Sequence, residues 1–61
     1  MKTENITKAA QSVELLMSDL KAAHHDAIAA DNRFAELVMI SLLSEAAALK
    51  DKLAAVTAAA L

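Results

Sequence analysis

Apolar residues recur every seven positions in both halves of this chain, the period of helices that pack along a shared seam. In the first half Ile6, Val13, Leu20 and Ala27 form one track, with Ala9, Leu16, Ala23 and Ala30 on the adjoining one. In the second half the seam reads Ala35, Met39, Leu42, Ala46, Leu49, Leu53, Val56 and Ala60. The frames do not join, because continuing the first would place Ser41, Ser44 and Asp51 in the seam. A turn accounts for the shift, and Asp31-Asn32 is the one cluster that favours it: Asn tolerates the left-handed conformation that closes helices, and either residue can cap the next. The pattern predicts an all-α antiparallel hairpin in a single domain, with helices at about 3–30 and 33–60 and a turn near 30–33. The structural alternative is one continuous rod of about 90 Å with a stutter at the phase shift.

Composition strengthens the helical reading. Ala, Leu, Met, Lys, Glu and Gln dominate the 61 residues, and Gly and Pro are absent, so the strongest helix breakers are missing. Thr3 is the expected first cap, with Glu4 favourable near the positive helix end and spaced to pair with Lys8.

Such a hairpin is too thin to stand alone. Four of the eight first-half seam positions are Ala, and a chain this short lies near the lower limit for an independent core. A second apolar surface is expected to supply the remainder. Leu15, Met17 and Ile28 lie off the first seam, while Phe34, Leu37, Val38, Ile40 and Leu43 lie off the second. These eight are the expected self-association or partner interface, most simply that of a homodimer closing a coiled-coil-like four-helix bundle.

Charge and residue chemistry exclude more than they suggest. Six Lys and Arg stand against eight Asp and Glu, for a formal net charge of −2 divided evenly between the halves. No basic stripe is present, so nucleic-acid binding is not favoured. The longest uncharged runs, Leu37 to Ser44 and Leu53 to Leu61, fall far short of the roughly 20 apolar residues that cross a bilayer. No membrane partner is expected, and Lys2, Glu4 and Lys8 interrupt the place of a secretory signal, which predicts a cytoplasmic protein.

No Cys is present, which removes disulfides, thiolate metal ligands and thiol nucleophiles. His24 and His25 are adjacent and point about 100° apart on a helix, so they cannot chelate one ion from one face. His24 falls beside the seam, where a protonated ring would set charge next to apolar residues. Neither Glu14, Glu36 nor Glu45 has a His three residues on, as a carboxylate-bridged metal bundle requires. Ser12, Ser18, Ser41 and Ser44 have no defined base partner. We expect no catalytic residues, no cofactor and no metal.

In length, central acidic turn and heptad pattern the chain resembles the plasmid copy-number regulators of the Rop type, dimerising helical hairpins. A short stretch, Leu42-Leu43-Ser44-Glu45-Ala46 with the Leu49 to Leu53 segment, is similar to small helical proteins of bacteria. The Rop resemblance implies an RNA- or DNA-binding alternative on the outer face of paired first helices, where Lys8, Gln11, Ser18, Lys21 and His25 fall. Glu14 and Asp19 interrupt that face, and no aromatic residue is there to stack bases. The favoured expectation is a small non-enzymatic interaction module, an adaptor, chaperone or inhibitor of bacterial, phage or plasmid origin that presents an apolar helical face to a larger protein. Salt separates the two readings, since a phosphate-bound complex weakens steeply with ionic strength and an apolar contact does not.

Overall fold

A computed structural model describes residues 2–60. Helix α1 runs Glu4–Ala29 and α2 runs Arg33–Ala60, and the two pack against each other as an antiparallel hairpin of 47 × 14 × 9 Å. Both boundaries fall within a residue of those expected.

The turn is built from two residues with separate tasks. Asp31 takes the left-handed conformation, with φ 53°, that usually falls to Gly because a side chain crowds it. Its N–H donates to the Ile28 carbonyl at 3.0 Å and the Asn32 N–H to the Ala27 carbonyl at 2.9 Å. That pair of bonds closes α1 with two of its otherwise orphaned carbonyls satisfied. Asn32 then starts α2: its Oδ1 accepts the Ala35 N–H at 3.1 Å and its carbonyl accepts the Glu36 N–H at 3.0 Å. Arg33 and Glu36 add an ion pair at 3.0 Å on the first turn of α2. The sequence points to Asn for the left-handed position and to either residue for the cap; the fold instead gives the left-handed position to Asp31, because Asn32 is engaged as the cap of α2.

The opposite end is less finished. Thr3 occupies the capping position of α1, but its hydroxyl makes no capping bond. Its carbonyl instead accepts both the N–H and the hydroxyl of Thr7, at 2.8 and 3.0 Å. Glu4 and Lys8 form no ion pair among the described residues.

The seam between the helices departs from the expected one by a rotation. The Ile6-Val13-Leu20-Ala27 and Met39-Ala46-Leu53-Ala60 tracks face inward. The second track in each helix lies four residues on from the first, not three. Ala10, Met17 and His24 turn inward on α1, and Leu43 and Thr57 on α2, while Leu16, Leu42, Leu49 and Val56 remain 36–47% exposed. Thr57 is tolerated there because its hydroxyl donates to the Leu53 carbonyl at 3.0 Å. Only Val13, Ala27 and Ala46 are buried among the described residues.

Candidate interaction surface

Side chains step 100° around a helix per residue, so the rotated seam determines what each flank displays. On α1 the Ala9-Leu16-Ala23 track points about 80° to one side of the direction of α2. On α2 the Leu42-Leu49-Val56 track is turned from its seam by about the same angle in the same sense. Because the helices are antiparallel, equal rotations bring both tracks to the same side of the hairpin. The result is one apolar strip along the molecule, here called the leucine face. Asp19 borders it on α1, and Glu45 and Lys52 border it on α2, all three exposed.

The opposite flank is mixed. Glu14 bonds the Lys50 ammonium across the two helices. Its hydrogen bond and negative charge hold the Lys50 pKa above the ordinary value of 10.5. Lys21 and His25 are exposed nearby. Toward the turn this flank becomes apolar, with Ile28, Leu37 and Ile40 each about half exposed, and Phe34 beside them is 78% exposed.

The eight expected interface residues therefore divide. Ile28, Phe34, Leu37 and Ile40 gather at the turn end, and Leu15 stands apart on the outward side of α1, 69% exposed. Met17, Val38 and Leu43 are half-buried, and Met17 and Leu43 serve the seam within the hairpin. The heptad spacing assigns the leucine-face residues to the seam, whereas the structure leaves Leu16, Leu42, Leu49 and Val56 on an outer surface. The available signal is partial: apolar residues hold the three-residue spacing throughout and the four-residue spacing at Ala10, Met17 and Leu43, a sector wider than one narrow seam needs.

Lys8, Gln11, Ser18, Lys21 and His25 are all exposed, but Glu14 lies between them and carries the ion pair. No group of three or more His, Asp or Glu side chains among the described residues is placed to hold a metal ion. His24 Nε2 is buried without a hydrogen-bond partner among them, an unusual condition for a polar atom. No described helix is long and apolar enough to cross a membrane. Comparison with protein-family models, curated proteins and solved structures finds no match.

Proposed function

We propose that this chain is a small non-enzymatic interaction module of the cytoplasm. It pairs with a second copy as a four-helix bundle and offers its turn end to a larger protein as an adaptor, chaperone or inhibitor. The observation that carries the reading is an excess of surface. The hairpin exposes 4566 Å², whereas a compact folded monomer of 6.4 kDa exposes about 3,800 Å². The difference, roughly 800 Å², is about one partner's share of a standard protein interface. Among the described residues nine large hydrophobic side chains are more than a third exposed, against three buried residues, so the uncovered surface is apolar and its burial is favourable.

Two separate patches support two contacts. The leucine face runs along the hairpin and suits another helical layer. The turn-end group of Ile28, Phe34, Leu37 and Ile40 is short and suits a groove on another protein. Photocrosslinking in the native host from a reactive group at position 34 tests this division. The expected product is an adduct heavier than a dimer, lost in Leu37→Ser and Ile40→Ser while dimer mass is retained. Adducts of dimer size only would overturn the larger partner.

A further inference from the structure

We propose that the leucine face pairs with the leucine face of a second copy in one particular arrangement: α2 lies antiparallel on the partner's α2, with the two-fold axis beside Leu49. The proposal deepens the self-association reading and rests on it. A face of 47 × 14 Å, shortened by roughly 7 Å because an axis at Leu49 lies off the middle of α2, covers roughly 550 Å² per copy, so a pair buries on the order of 1,100 Å², just above the roughly 1,000 Å² of a specific interface.

Charge selects the arrangement. Closed pairs are two-fold symmetric, and two hairpins laid face to face have two such solutions. If the axis runs along the helices, both turns lie at one end and α1 covers the partner's α2. Every residue then meets residues at its own height, and no sliding is possible. Residues whose numbers add to about 64 share a height, as the Glu14–Lys50 pair does, which sets Asp19 against the partner's Glu45 twice. Like charges facing each other disfavour that solution.

If the axis runs across the helices, the turns lie at opposite ends and α2 covers the partner's α2. With the axis at Leu49, that residue meets its own copy and Leu42 meets the partner's Val56. Glu45 meets the partner's Lys52, twice. The same register that aligns the apolar residues thus pairs opposite charges at the border of the strip, where coiled-coil flanking charges set orientation.

Disulfide trapping tests this directly, because the chain has no Cys of its own. Helix axes about 8–10 Å apart, with each Cα about 2.3 Å from its axis, bring facing Cα atoms to about 3.5–5.5 Å. The upper part of that interval lies within disulfide range. Leu49→Cys should yield a disulfide-linked dimer under mild oxidation, and Leu15→Cys, on the outward side of α1, should not. As a test free of new cysteines, Glu45→Lys or Lys52→Glu should each weaken the dimer roughly ten-fold, and the double swap should restore it to within about three-fold. A protein that is dimeric by mass but does not trap through Leu49→Cys, with no rescue by the double swap, overturns this arrangement and leaves self-association standing. A protein monomeric at all concentrations overturns both.

Discussion

The turn and the seam of this hairpin are opposites in how completely they are built. At the turn, two successive residues satisfy the end of one helix and the start of the next with four hydrogen bonds of 2.9–3.1 Å. Along the seam, 26- and 28-residue helices bury three small or medium side chains. The turn is complete within its own few residues. The seam is half of a core, and the contrast teaches that direction of the chain is specified locally here while stability waits on a second surface.

Substitutions can break this contrast from either side. At the seam, Ala46→Asp would bury an unpaired carboxylate at the most buried of the described positions, and should cost more than about 3 kcal/mol. Circular dichroism should show most of the helix lost. Retained helicity would mean that the seam is not where the helices are held together.

Relieving the seam is the next largest effect. His24→Leu replaces a ring whose buried Nε2 has no partner among the described residues, and should stabilise the protein by about 1–3 kcal/mol in denaturant titration. A loss of stability would reveal a polar contact made by that ring in the assembled protein.

The turn should respond with opposite signs at its two residues. Asn32→Ala removes the cap on Ala35 and should cost about 1 kcal/mol, whereas Asp31→Gly relieves the left-handed backbone and should gain about 0.5–1 kcal/mol. Two losses would contradict the division of tasks.

The smallest effect belongs to the exposed Glu14–Lys50 pair. Glu14 raises the Lys50 pKa above 10.5. The stability linked to this pair is therefore whole below 10.5 and is lost as pH rises through the raised value. Glu14→Gln should lower the melting temperature slightly at neutral pH, less so in high salt, and should abolish that alkaline decline. An unchanged alkaline profile would show that the pair is not formed in solution.

Much of this molecule is legible in its sequence, and the reason is local. Asp31-Asn32 carries turn chemistry in its own side chains, and the absence of Gly and Pro elsewhere leaves nothing to interrupt either helix. The inward tracks through Val13 and Ala46 were legible too, because they stay apolar over four heptads. The partner tracks were not. His24, Lys50 and Thr57 make the four-residue spacing look less suited to a core than Leu16, Leu42, Leu49 and Val56. Yet Thr57 satisfies its hydroxyl on its own helix and Lys50 bonds Glu14 at the edge, so both fit the narrow hairpin seam. The bulkier leucines are thereby released to the outside. A heptad pattern reports that a sector is apolar and is silent on which neighbour takes which part of it.

Absolute mass measured together with helicity, from micromolar to nanomolar protein, tests the claim that the hairpin completes its core by pairing. Pairing predicts a dimer at high concentration whose helical signal falls as it dissociates. A monomer that keeps full helicity down to nanomolar concentration would contradict it, because the three-residue core would then suffice alone.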